Sequence, residues 1–184
     1  YYSTNHTAPL AFLHEAVVRG LAPDRGLYMP ERISKLPAEF FDRIDSMSFQ
    51  EIAYHVADAF FGEDIPADRL KQIVYDTLSF PCPVKPVEDR IFSLELFHGP
   101  TLAFKDVGAR FMARMLQYFI HEEGTKEVNV LVATSGDTGS AVANGFLGVD
   151  GIRVFVLYPK GKVSAIQESQ FTTLGQNITA IEVD

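Results

Sequence analysis

The sequence is poor in cysteine, in basic runs and in long apolar stretches. Its one cysteine, Cys82, stands between Pro81 and Pro83. A single thiol makes no internal disulfide, and no Cys or His spacing fits a zinc site. A reducing compartment follows, with the cytosol as the expected location. Cys82 itself reads as structural rather than nucleophilic, because nothing beside it would activate the thiol. Lys and Arg number 16 against 24 Asp and Glu, for a net charge of −8. No basic block is present, so the chain lacks the footprint of a nucleic-acid binder. No apolar run approaches the roughly 20 residues of a membrane-spanning helix, and no secretory signal leads the chain. Neither nucleic acid nor membrane is expected as a partner, and no metal site is expected.

What is present is ordinary for a globular protein, with 47% hydrophobic and 22% charged residues. A length of 184 residues suits one large domain or two small ones with a sizeable core. The chain starts at Tyr1 without a methionine and stops at Asp184 just after the strand-like "ITAIEV". Both ends read as cut.

The first part reads as mostly helical. Leu10, Leu13, Ala16 and Val17 mark one helical face, and Gly20 suits its carboxyl end. "RGLYMP" is a short extended piece. Ser48-Phe49-Gln50-Glu51 has the pattern of a capping box and opens a helix that Gly62 closes. Pro66 suits the first turn of another helix, with Leu70, Ile73, Val74 and Thr77 on its inner face. At "FPCPVKP" the prolines end any helix and mark a boundary, which places the junction of two domains, 1–82 and 83–184, near residue 82.

The second part alternates. "RIFSLELF" has period two, with Phe92, Leu94 and Leu96 on one side. A helix is predicted over 101–121, with Phe104, Gly108, Phe111, Met112, Met115 and Phe119 as its apolar stripe. "EVNVLVAT" reads as a strand covered on both faces. Three further elements follow as helix, strand "IRVFVLYP" and helix, before the last strand. Strand-helix repeats of this length predict a parallel α/β sheet.

Three stretches carry chemistry. Lys105 falls at the start of a helix between apolar flanks. A helix N-terminus repels positive charge and an apolar setting disfavours an ammonium. Both favour the neutral amine that forms Schiff bases or acts as a base. The alternative is a surface lysine whose stem packs on Phe104 and whose charge pairs with Asp106. The second stretch, "ATSGDTGSAVA" (133–143), turns from a strand into a helix where open α/β sheets bind ligands. Gly136 and Gly139 allow close backbone approach, and turn N–H groups with the Ser135, Thr138 and Ser140 hydroxyls suit a carboxylate or phosphate. It is neither a P-loop nor a Gly-x-Gly-x-x-Gly turn. The alternative is an ordinary turn with Ser135 or Asp137 as N-cap. The third stretch, "YPKGKVS" (158–164), sets Lys160 and Lys162 beside Gly161, either to hold a phosphate or as a solvated loop, with Ser164 capping the next helix. His98 adjoins the Lys105 stretch. The other histidines have no triad or metal spacing.

"LFHGPTLAFKD" (96–106), "ATSGDTGSAVA", "LYPKGKVSAIQ" and "APDRGLYMPE" (22–31) resemble threonine synthases in register and order. That family is similar to the tryptophan-synthase-β class, the fold-type II pyridoxal-phosphate enzymes. The resemblance implies a helical amino-terminal domain followed by the first part of a parallel-sheet fold-type II core. It implies that Lys105 holds pyridoxal 5′-phosphate covalently and serves in catalysis, with Phe104 and Asp137 beside the cofactor. Thr134, Ser135, Gly136, Asp137, Thr138 and Gly139 then form the loop for the substrate α-carboxylate. Lys160 and Lys162 are placed to help a substrate phosphate. Many relatives have Asn where Asp137 stands, which puts the usual amide-donor role in doubt. The implied reaction converts O-phospho-L-homoserine and water to L-threonine and phosphate. The family's cofactor-phosphate loop comes later than Asp184, so weak cofactor binding and little activity are expected of these residues alone. Other readings are another fold-type II enzyme such as a threonine or serine dehydratase, a cofactor-free phosphate-binding module, and a non-catalytic fragment.

Overall fold

The computed structural model describes residues 1–124 and 127–184. Packing divides them into two units, Tyr1–Leu78 and Ser79–Asp184.

In the first unit, β1 (Tyr2–Ser3) pairs antiparallel with β2 (Tyr28–Met29). Asp24 ties this corner together. Its carboxylate accepts from Ser3 Oγ, from Thr7 Oγ1 at 3.0 Å, and from the N–H groups of Thr7, Ala8 and Gly26 at 3.1, 2.9 and 3.1 Å. The Ser3 hydrogen bond, the largest influence, together with those from Gly26 and Thr7 outweighs desolvation and holds the Asp24 carboxyl well below the usual carboxylate range. Helix α1 (Leu13–Arg19) ends at Gly20, whose φ of 73° suits a residue without Cβ. Then come α2 (Ala38–Arg43) with a 3₁₀ turn at Ile44–Ser46, α3 (Phe49–Phe61) and α4 (Ala67–Thr77). Ser48 and Glu51 form the expected capping box at α3. Helix α4 buries Leu70, Ile73, Val74 and Thr77, the expected face, and packs on α3. Pro66 is its N-cap rather than part of its first turn. Gln50 Nε2 donates to the Tyr75 and Leu78 carbonyls at 3.1 and 2.8 Å, satisfying the open end of α4.

In the second unit, β3 (Val84–Glu88) and β4 (Ile91–Leu94) form an antiparallel hairpin of their own, so "RIFSLELF" stays outside the parallel sheet. Helix α5 (Lys105–Glu122) starts later than the pattern predicts. Its apolar stripe is also rotated. Ala109, Ala113, Met115, Leu116, Phe119 and Ile120 are buried, whereas Phe104, Gly108 and Met112 are exposed. Close helix packing is the reason. Gly145 lies against the α5 main chain, where a Cβ would sit 3.0 Å from the Ala109 carbonyl carbon. At this crossing a small side chain, Ala109, faces inward, and Gly108 and Met112 turn outward, while Met115 and Phe119 keep the expected burial.

Strands β5 (Val128–Ala133), β6 (Ile152–Pro159) and β7 (Ile178–Val183) form a parallel sheet in that order, with helices α6 (Asp137–Phe146) and α7 (Ala165–Thr172) as the crossovers. Central β6 buries Ile152, Val154, Val156 and Tyr158 at every second position. Strand β5 is not covered on both faces as its composition predicts, because Leu131 is 73% exposed. The chain is thus a helical unit followed by an α/β unit. No helix among the described residues is long and apolar enough to cross a membrane.

Candidate active site

Strands β5 and β6 run parallel and in register, so the segments leaving their carboxyl ends open on one edge of the sheet. Thr134 N–H donates to Leu157 O at 2.9 Å and joins the two exits.

The turn into α6 is organised from within by Thr134. Its Oγ1 accepts from the N–H groups of Gly136 and Gly139 at 3.1 and 2.9 Å, and donates to Gly136 O at 3.1 Å. A Cβ on Gly139 would collide with the Thr134 methyl. The N-cap of α6 is Gly136, with no side-chain cap, so neither Ser135 nor Asp137 fills that role. Ser140 Oγ also faces inward, 3.5 Å from the carbonyls of Gly136 and Gln167. Of the residues expected to meet an anion, Gly136, Gly139 and Ser140 are therefore buried and committed to the turn. Ser135, Asp137 and Thr138 are exposed. The Gly139 and Ser140 N–H groups are taken by Gly136 O, which leaves those of Asp137 and Thr138 as the open donors of the helix start.

Asp137 Oδ1 accepts from Gln167 Nε2 at 2.6 Å. Gln167 Oε1 in turn accepts from Ser164 Oγ at 3.0 Å, and Ser164 caps α7 by accepting from Gln167 N–H at 3.3 Å, as expected. One side chain thus bridges the turn after β5 and the loop after β6. Lys160 and Lys162 sit exposed in that second loop beside Gly161, whose φ is 62°. Among the described residues, neither ammonium has an ion-pair partner.

Lys105 is the first residue of α5 and is half-buried. The turn before it is held by Asp106, which is 1% exposed. Asp106 accepts from Thr101 N–H at 2.9 Å and from Thr101 Oγ1 at 2.6 Å. Gly99 packs against the same carboxyl group, where a Cβ would collide with it. Leu102 takes a φ of 58° to close the turn. Asp106 is therefore turned away from the lysine rather than paired with it. Lys105 Nζ lies 5.5 Å from the centre of the Phe104 ring, a cation–π contact. His98 is committed to Glu95, 2.8 Å away.

Helix α7 reaches this turn as well, because Gln170 Nε2 donates to Thr101 O at 3.5 Å. Gln167 joins Asp137, at the first strand exit, to Ser164, after the second, and the turn that carries Lys105 is joined to the same helix through Gln170. Sequence reasoning missed Gln167. Ser164-x-x-Gln167 has the capping-box pattern that would have marked it as an N3 residue. Its reach to Asp137 carries no local signal.

A family model described as Threonine synthase N terminus matches residues 1–78. Along its whole length the chain is 42% identical to threonine synthase of Escherichia coli (strain K12), covering 42% of that relative. It is 39% identical to threonine synthase of Schizosaccharomyces pombe, covering 38% of it. The solved structure of the Escherichia coli threonine synthase superposes with a TM-score of 0.86, over 100% of this chain and 42% of that one. PLP-bound threonine synthase from Brucella melitensis superposes with a TM-score of 0.90 at 38% identity, over 97% of this chain and 40% of that one. The chain spans about two fifths of the length of the curated relatives it matches.

Proposed function

We propose that the chain is the amino-terminal part of a threonine synthase and that the complete protein is a cytoplasmic pyridoxal-phosphate lyase of threonine biosynthesis. Its reaction is the conversion of O-phospho-L-homoserine and water to L-threonine and phosphate. The observation that carries this reading is the match along the whole chain, which includes both the Lys105 turn and the loops at the strand exits. The model matching residues 1–78 covers "APDRGLYMPE" and favours this family over dehydratases of the same fold type. In the same reading, residues 1–82 form the amino-terminal domain and 83–184 the start of the catalytic core.

The residues present fit the cofactor. Lys105 supplies an amine that Asp106 leaves unpaired, at the start of a helix in the unit whose strand exits carry the exposed donors of Ser135 and Thr138. Lys105 would hold the cofactor covalently, with Phe104 and Asp137 beside it. When bound, the cofactor supplies an electron sink for the pair left at the substrate Cα. Thr134, Gly136 and Gly139 shape the loop, and the Ser135 and Thr138 hydroxyls with the main-chain N–H groups of Asp137 and Thr138 face the substrate α-carboxylate. That grip aims the Cα–H bond at Lys105. The Lys105 amine takes and returns protons at Cα and Cβ. Lys160 and Lys162 attract the phosphate that leaves Cγ.

The test is chemical. The full-length protein is mixed with pyridoxal phosphate, reduced with borohydride and mapped by peptide mass spectrometry. The modification is expected on Lys105, and a label confined to other lysines defeats the assignment. Lys105→Ala is expected to lower turnover by about 10²–10⁴-fold or more with an unchanged circular dichroism spectrum. Near-normal turnover refutes the role.

A further inference from the structure

Resting on the reading above, we propose that Gln167 is a positioning residue that keeps the Asp137 carboxylate from occupying the donors meant for the substrate. Both ends of its amide are engaged. Nε2 donates to Asp137 Oδ1 at 2.6 Å, and Oε1 accepts from Ser164 Oγ at 3.0 Å. This sets the polarity, because a flipped amide would bring its oxygen against the carboxylate, acceptor to acceptor. The turn is packed on the same group, since a Cβ on Gly136 would sit 2.8 Å from Gln167 Nε2.

Asp137 is the first residue of α6, which has no side-chain cap. A carboxylate in the first turn is drawn by the positive end of the helix toward the open N–H groups of Asp137 and Thr138. Those N–H groups, with the Ser135 and Thr138 hydroxyls, are the donors a substrate carboxylate needs. An untethered Asp137 would compete for them from within the protein. Gln167 holds the carboxylate toward α7 and leaves the donors open. Because Ser164 follows the Lys160–Lys162 loop, the tether also fixes that loop against the first. Gln167 touches no reacting atom, so its effect passes through Asp137.

The test is a coupling experiment in the full-length protein. It uses steady-state kinetics with O-phospho-L-homoserine and calorimetric titration of L-threonine, which reports grip on the α-carboxylate without turnover. Gln167→Glu sets two carboxylates face to face. It is expected to raise KM and the threonine Kd by about tenfold or more, with kcat changed much less. In the Asp137→Asn background the hydrogen bond is restored with reversed polarity, and the same substitution is expected to change either constant by less than about threefold. Gln167→Leu, of similar size but without the amide, is expected to raise both constants as Gln167→Glu does, and provides the comparison should Gln167→Glu fold poorly. Equal effects of Gln167→Glu in both backgrounds, or unchanged constants in Gln167→Leu, overturn the proposal. A wild-type protein that turns over the substrate and is labelled at Lys105, yet shows no coupling, refutes the tether alone. A wild-type protein that does neither refutes the functional reading together with it.

Discussion

Asp106 follows Lys105 in sequence, yet its carboxyl group points into the protein and closes the turn on Thr101. Removing it leaves a buried N–H and a buried hydroxyl without partners. Asp106→Ala is expected to destabilise the protein by about 2–3 kcal/mol, read from urea midpoints. The motif around Lys105 was legible, but the direction of its neighbour was not, because a side chain's aim depends on what surrounds it. Asp24 shows the same limit. It lies in a recognisable block, but its partners Ser3, Thr7 and Ala8 come from a distant stretch of chain. Its folded pKa is depressed, so the stability it contributes is present above the ordinary aspartate range and lost as pH falls through and below it. Between about pH 7 and about pH 3, the wild-type chain should lose stability more steeply than Asp24→Asn. Urea midpoints across that range check this, and parallel slopes would contradict it.

At the scale of elements, local signals worked best where one residue decides an outcome. Gly20, the Ser48 capping box, the Ser164 cap and the buried face of α4 all stand as their patterns predict. The pattern misled where packing distance mattered. The large apolar Phe104, just before α5, and Met112 within it lie outside, whereas the small Ala109 and Ala113 are buried, Ala109 against Gly145 of α6. Periodicity weighs hydrophobic bulk, whereas two closely packed helices need small residues between them. Gly145 makes that approach possible. Gly145→Ala is expected to cost about 1–3 kcal/mol, since the added methyl meets main chain that moves only with the helix. Chemical denaturation measures this, and a neutral result would show that the helices part easily.

For the whole molecule, composition and alternation already imply a helical part and a parallel α/β part, because buried strands and crossover helices need distinctive patterns. The acidic balance has its own consequence. Solubility should reach a minimum near the sequence pI of about 5.1 and recover toward neutral pH, as turbidity would show. The sequence by itself determined the lysine, the glycine-rich turn, the two-lysine loop and their order along the chain. These are local in character, since each depends on residue types at short spacing. Only the tertiary structure decided that Thr134 fills the inside of the turn, that Asp106 faces Thr101, and that Gln167 joins Asp137 to the loop after β6. Residues thirty apart meet only when a parallel sheet sets two strand exits side by side. Short-range spacing holds no record of that distance.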